Sequence, residues 1–141
     1  MFPDRFLRIV RTSAWYDLAI TWPFALPWTF VWLHGRLADT AVGLGVPGAW
    51  PTLDATHVLL ANLMGSVVVV WSLARLMDPS VRLGRLDAAA RGLFAAWQVT
   101  AVLNGASALL LAFTVVEVAF GVLQALPVRR GVSTEAATPA V

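Results

Sequence analysis

Between Gly92 and Val128 the chain carries one ionisable side chain, Glu117 in the segment VVEVAFG. The largely apolar stretch around it runs from Leu86 to Val128. As one helix rising about 1.5 Å per residue it would far exceed a hydrocarbon core of about 30 Å. A single crossing would also place Arg129 and Arg130 on the side opposite the central Arg cluster. Both conflicts disappear if the chain reverses at Asn104-Gly105-Ala106-Ser107, whose residues favour tight turns. This predicts a third span near residues 87–103 and a fourth near 106–126.

Two further apolar runs precede these. AWYDLAITWPFALPWTFVWL covers Ala14–Leu33, and HVLLANLMGSVVVVWSLARL covers His57–Leu76. With 59% hydrophobic residues, 13% charged residues, seven Trp and a mean hydropathy of +0.75, the chain holds more apolar surface than one small soluble core could bury. The expected fold class is therefore all-α: an integral membrane four-helix bundle forming one domain over residues 1–130. The first run has an acid and two prolines and no cleavage pattern, so it is expected to be a retained span. Residues 131–141, GVSTEAATPAV, are expected to form a disordered tail.

Every basic residue other than histidine is Arg. Arg5, Arg8 and Arg11 precede the first run, Arg75, Arg82, Arg85 and Arg91 lie in and around the segment ARLMDPSVRLGRLDAAAR that joins the second to the third, and Arg129 and Arg130 follow the fourth. Such clusters mark the cytoplasmic side. Four spans with both termini cytoplasmic put nine of the ten there, leaving Arg36 outside. The pI near 10.4 then reports orientation and not nucleic-acid binding. Phe2, Phe6, Ile9 and Val10 oppose the first three Arg, so a short amphipathic helix on the inner leaflet is expected. Trp15 and Trp71 are expected at the inner interface, and Trp32 and Trp50 at the outer one. An extracytoplasmic loop, His34–Thr56, joins the first two spans.

Polar residues within the spans are the candidate site, because an intramembrane ionisable group is costly to keep. Counted along their spans, Glu117 and Gln98 fall near mid-depth and are expected to be neighbours, with Glu117 mainly protonated. Phe113, Glu117, Gly121 and Gln124 share one helical face, on which Gly121 leaves space. Asp17 lies a turn into the first span and is expected to pair with Arg75 or Arg91. Asp17, Thr21, Phe24 and Trp28 form a stripe, and Pro23 and Pro27 should bend this span and free carbonyls that need other partners. Asn62 and Ser66 share a face of the second span, beside the small residues Ala61, Gly65 and Ser72. The ligand-binding or proton-site candidates are thus Glu117, Gln98, Asp17, Asn62 and Trp28. Against each stands a plain structural role: an ion pair for Asp17, interhelical hydrogen bonds for Asn62, Ser66 and Gln98, and anchoring for the Trp residues.

Catalytic patterns are sparse. There is no cysteine, so disulfides and thiol chemistry are excluded. His34 and His57 with Asp39 or Asp54 lack the spacing of a metal motif and read as outer cap residues. GLGVPG lacks a Walker lysine and reads as a loop. Neither a metal nor a cofactor is expected, and whether the chain is an enzyme is left open.

The layout of NLMGSVVVVWSLARL closing the second span, LDAAARGLFAAWQ opening the third and VVEVAFG in the fourth resembles the small bacterial DoxX-like membrane proteins over most of residues 14–126. That resemblance implies a multi-pass protein of the bacterial inner membrane, in a group with some members linked to quinone-dependent sulfur oxidation. The layout is also similar to the EXPERA sterol-isomerase and sterol-binding proteins. Three functional readings follow. The first is an accessory protein holding a lipid, quinone, sterol-like ligand or partner helix around Glu117, Gln98 and Trp28, as a homo-oligomer or in a membrane complex. The second is a membrane enzyme using Glu117 in acid/base chemistry with Asp17 as a second acid. The third is a proton-coupled transporter similar to the small multidrug resistance proteins, whose essential acid lies in the first span.

Overall fold

The computed structural model describes residues 1–129, all of whose long elements are helices: α1 (Pro3–Thr21), α2 (Pro27–Gly43), α3 (Ala55–Met77), α4 (Val81–Leu103) and α5 (Leu110–Ala125). Residue 130 and the proposed tail, 131–141, lie outside the described residues. α3 is long and apolar enough to cross a membrane, and α5 is apolar but shorter.

α1 is the hub, packing against α3, α4 and α5, while α4 and α5 form an antiparallel pair. Phe6, Val10, Ser13, Ala14 and Asp17 recur at helical spacing and make its buried face. The first turns of α1 are thus part of the bundle and not a separate amphipathic helix. Phe6 and Val10 are fully buried because Gly84 of α4 admits them. A Cβ there would lie 2.6 Å from Val10 Cγ2 and 2.7 Å from Phe6 Cε1.

Between α1 and α2 the chain forms a 3-10 turn, Trp22–Ala25, followed by Leu26 in an extended conformation (φ −124°, ψ 134°). Pro23 and Pro27 cause this, since each lacks an N–H and the residue before a proline avoids the helical region. The freed carbonyls find side-chain donors: Thr29 Oγ1 to Pro23 O at 2.6 Å, and Asn62 Nδ2 of α3 to Phe24 O at 2.8 Å. Gly65 sits directly against the turn, its missing side chain replaced by the Phe24–Ala25 backbone.

Ser80 caps α4, its hydroxyl accepting from Leu83 N at 3.2 Å, and Asp54 caps α3 through His57 N at 2.8 Å. α4 therefore begins well before the expected third span. The chain reverses after Leu103 with Gly105 at φ +95°, a conformation glycine adopts without strain. This reversal is tied to the α2–α3 loop by Ala49 N to Gly105 O (2.7 Å), Ser107 N to Ala49 O (3.0 Å) and Ala108 N to Pro47 O (2.9 Å). At the opposite end the Met1 amino group donates to Pro127 O at 2.7 Å, and Arg85 donates to Gln124 O and Leu126 O. Both ends of the bundle are clasped.

Candidate functional site

The distribution of side chains is inverted relative to a soluble protein. Asp17, Asp87, Arg75, Arg91, Ser13, Ser72, Thr114 and Gln124 are buried, whereas Leu60, Leu63, Val67 and Val70 of α3, Leu93 and Trp97 of α4, and Val115, Val118 and Val122 of α5 are exposed. All of these buried polar groups except Thr114 join one network.

Its centre is a pair of arginines, Arg75 at 0% and Arg91 at 2% exposure. Asp17 Oδ2 accepts from Arg75 Nη2 at 2.6 Å and from Arg91 Nη2 at 2.5 Å, so it bridges both expected partners. Asp87 Oδ2 lies 2.6 Å from Arg75 Nη1 and 3.0 Å from Arg91 Nε, one helical turn away on α4. Its Oδ1 accepts from Trp71 Nε1 at 2.9 Å. Glu117 Oε2 accepts from Arg91 Nη1 at 2.8 Å. Planar guanidinium groups with five donors suit such multiple sharing. The arginines also stack on aromatic rings, Arg75 over Trp71 and Arg91 over Phe120 at 5.6 and 5.1 Å.

Below this cluster, towards the chain termini, Ser13 donates to Val10 O and accepts from Gln124 Nε2 at 2.7 Å and Arg75 Nη1 at 3.3 Å. Ser72 accepts from Arg75 Nη2 at 3.3 Å. Two buried atoms of the residues bonded to Ser13, Arg75 Nε and Gln124 Oε1, have no partner among the described residues. Above it, Thr114 Oγ1 donates to Gln98 Oε1 at 2.8 Å. Thr114, Glu117, Gly121 and Gln124 thus carry a polar seam down one face of α5.

The candidates fall into place unevenly. Asp17 and Glu117 join the cluster, but Glu117 pairs with Arg91 and not with Gln98. α4 begins at Val81, and the rungs of the antiparallel α4–α5 pair are Arg85 with Gln124, Arg91 with Glu117 and Gln98 with Thr114. Counting α4 from Asp87 shifted that register. Asn62 holds the 3-10 turn and stands apart from the cluster. Trp28 is 68% exposed, because the 3-10 turn rotates α2 out of the Asp17 stripe. Trp71 is half-buried and bonded to Asp87, so it joins the network. Nor does Gly121 open a space that Glu117 needs, since a Cβ there would meet Arg91 Cβ at an ordinary 3.5 Å.

Asp87, Ser13, Ser72 and Trp71 were missed as site residues. The Asp87–Arg91 pair at i, i+4 and the Ser13–Asp17 spacing behind Phe6 and Val10 were the available signals. At the other end, His57 Nδ1 lies 3.0 Å from Asp54 Oδ1, while His34 packs on Phe30 and Trp50. Burial pulls the His34 pKa down, opposed by the Pro51 carbonyl. The two histidines therefore serve separate contacts.

No family model matches the chain, and no curated protein or solved structure matches it either.

Proposed function

We propose that this chain is a small integral protein of the bacterial inner membrane, a DoxX-like accessory module that binds a lipid, a quinone, a sterol-like molecule or a partner helix. Its four crossing segments are residues 14–33 of the bent α1–α2 pair, α3, α4 and α5, with both termini cytoplasmic. The observation that carries this reading is the inverted distribution of side chains: paired charges inside, and Leu, Val and Trp outside on every long helix. In water such a surface would be an aggregation hazard, whereas in lipid it is the solvated face. Two buried Arg on α3 and α4 no longer count as loop charges, yet Arg5, Arg8, Arg11, Arg82, Arg85 and Arg129 at the terminal end still support a cytoplasmic assignment for it.

An accessory role is preferred to an enzyme because each candidate acid is engaged by an arginine. An open apolar furrow of about 390 Å³ runs along Ser66, Val67, Val70, Trp71 and Ala74 on the outer face of α3, a shape suited to an acyl chain or a helix. Alkaline extraction should leave the protein in the membrane. Reporter fusions at Ala49, after Val81 and at the C-terminus should read outside, inside and inside. Extraction into the supernatant, or a C-terminus that reads outside, would sink the four-span reading. Mass spectrometry of protein purified in mild detergent should find a stoichiometric lipid or quinone that is lost when Val70 is replaced by Trp to fill the furrow.

A proton-coupled transporter is the second reading, favoured by one observation: the buried cluster holds more carboxylates than arginines.

A further inference from the structure

Three carboxyl groups, Asp17, Asp87 and Glu117, surround two guanidinium groups, Arg75 and Arg91, in a single hydrogen-bonded cluster. Fully ionised, the cluster carries one net negative charge. Each side chain in it is at most 15% exposed. A buried charge without a counter-charge is expensive, and the ordinary remedy is to take up a proton.

The groups facing Glu117 define where that proton goes. α1 contributes Tyr16 and Asp17, and α4 contributes Asp87 and Arg91. α3 contributes Arg75 through the carboxylates it shares, and α5 adds no other titratable side chain. Asp17 accepts hydrogen bonds from both arginines, and Asp87 accepts from Arg91 and Trp71 and is ion-paired with Arg75 at 2.6 Å. A proton displaces least at the acid that accepts the fewest such bonds. Glu117 accepts a single bond, on Oε2, where Asp17 accepts two on Oδ2; among the described residues no donor reaches Glu117 Oε1 or Asp17 Oδ1, so the smaller number of bonds distinguishes Glu117. It is also the most exposed of the three, at 15% against 11% for Asp17 and 4% for Asp87. A proton on Oε1 leaves the Arg91 bond to Oε2 intact, because a neutral carboxyl still accepts through its carbonyl oxygen.

We propose that the bundle binds one exchangeable proton at Glu117 Oε1, whose arrival changes the buried cluster from a net charge of −1 to neutral. One O–H bond forms at Oε1 as one O–H bond of a hydronium ion from bulk water breaks, leaving a water molecule. The polar seam from Gln124 through Ser13 and Arg75 gives the cluster contact with the terminal end of the bundle, and the Thr114–Gln98 pair continues it one turn beyond Glu117. Occupancy of this site would set the charge that any transport or binding step works against. The inference rests on the membrane reading only for the low-dielectric surroundings of the bundle.

The test is infrared difference spectroscopy of the protein in phospholipid vesicles, titrated through neutral pH in H₂O and D₂O. The full-length Glu135→Gln protein, in which Glu117 is the remaining glutamate, is grown with carboxyl-¹³C glutamate. At neutral pH the spectrum should contain a protonated-carboxyl C=O band equivalent to one group per chain. That band should shift with the ¹³C label, shift again in D₂O, and vanish in Glu117→Gln. It should also vanish in Asp17→Asn, where Glu117 is intact but two carboxylates now balance two arginines. Absence of the band in the labelled protein would overturn the proposal, as when a bound cation neutralises the cluster. So would a band that ignores the glutamate label or survives Asp17→Asn. The labelled arm leaves the bundle unaltered, so it decides the matter even where a variant fails to fold. Failed reporter fusions would remove the four-span topology without touching this result.

Discussion

Arg91 Nη1 donates to Glu117 Oε2 at 2.8 Å across the α4–α5 interface, so the one acid in an otherwise hydrocarbon helix is answered from its neighbour. The same guanidinium reaches Asp17 and Asp87, which makes Arg91 the group that joins α1, α4 and α5. Its loss should be felt in all three.

Arg91→Gln would leave three carboxylates around Arg75 alone. Removing one partner of a buried ion pair costs about 3–5 kcal/mol, because the remaining charges stay buried and uncompensated. The variant should unfold at a markedly lower temperature or denaturant concentration than wild type. Arg91→Lys should recover only part of that loss, since a point charge cannot reach three carboxylates in different directions. Equal stability of Arg91→Lys and wild type would mean that charge alone, and not the fork, holds the cluster.

The glycines should separate by what they touch. Gly65→Ala and Gly84→Ala place a methyl group against the Phe24–Ala25 backbone and against Val10 and Phe6, so each should destabilise by about 1–3 kcal/mol. Gly121→Ala meets only ordinary contacts and removes a helix-interior glycine, so it should be neutral or gain about 0.5–1 kcal/mol. Thermal unfolding in detergent ranks the three. A severe loss at Gly121 would show that the face beside Glu117 needs its space after all.

At the loop end, His34 Nε2 and Trp50 Nε1 are buried without partners. Burial lowers the His34 pKa from its ordinary 6.5, so between the folded value and 6.5 the unfolded chain binds the extra proton. The contribution of His34 to stability is therefore complete above 6.5 and is lost as the pH falls through the lowered value. Asp54, held down first by the His57 N–H, adds its own loss only below its ordinary 3.8. Amide exchange in the Leu44–Leu53 segment should quicken in the upper of these two windows, and His34→Phe should abolish that acceleration. An unchanged pH slope in His34→Phe would assign it to another group.

The sequence shows where helices start and stop better than it shows which faces meet. Apolar runs and the turn residues Asn104–Ser107 mark the reversal between α4 and α5, and two prolines mark the break after Thr21. Which acid meets which base was harder to read, because it depends on register. A shift of a few residues at the start of α4 moves Gln98 away from Glu117 and brings Arg91 to it. Trp28 left its stripe for a related reason, since helical periodicity does not carry through a 3-10 turn. Phe6 and Val10 looked like membrane anchors because an amphipathic face fits lipid and a protein groove equally well. Only Gly84, far along the chain, distinguishes the two.

The sharing of Asp17 between two arginines gives the last prediction. A charge swap of Asp17 and Arg75 would normally restore a simple ion pair. Here it would put an aspartate at position 75, where the Arg75 guanidinium now lies 2.6 Å from Asp87, and an arginine at position 17, close to Arg91. Both new neighbours repel, so the swapped protein should be less stable than either single variant. The neutral double variant, Asp17→Asn with Arg75→Gln, should lose less than the sum of its parts, because the two share a hydrogen bond and non-additivity of about 0.5–3 kcal/mol is usual for residues in one network. Asp17→Asn alone should be the mildest change in the set, since the two remaining carboxylates balance the two arginines without a bound proton and an amide oxygen still accepts from Arg75 and Arg91. Unfolding free energies for the wild type, the two single variants, the neutral double and the swap close this cycle. Full recovery in the swapped protein would show that Asp17 and Arg75 form an isolated pair, which the bond from Asp17 to Arg91 contradicts.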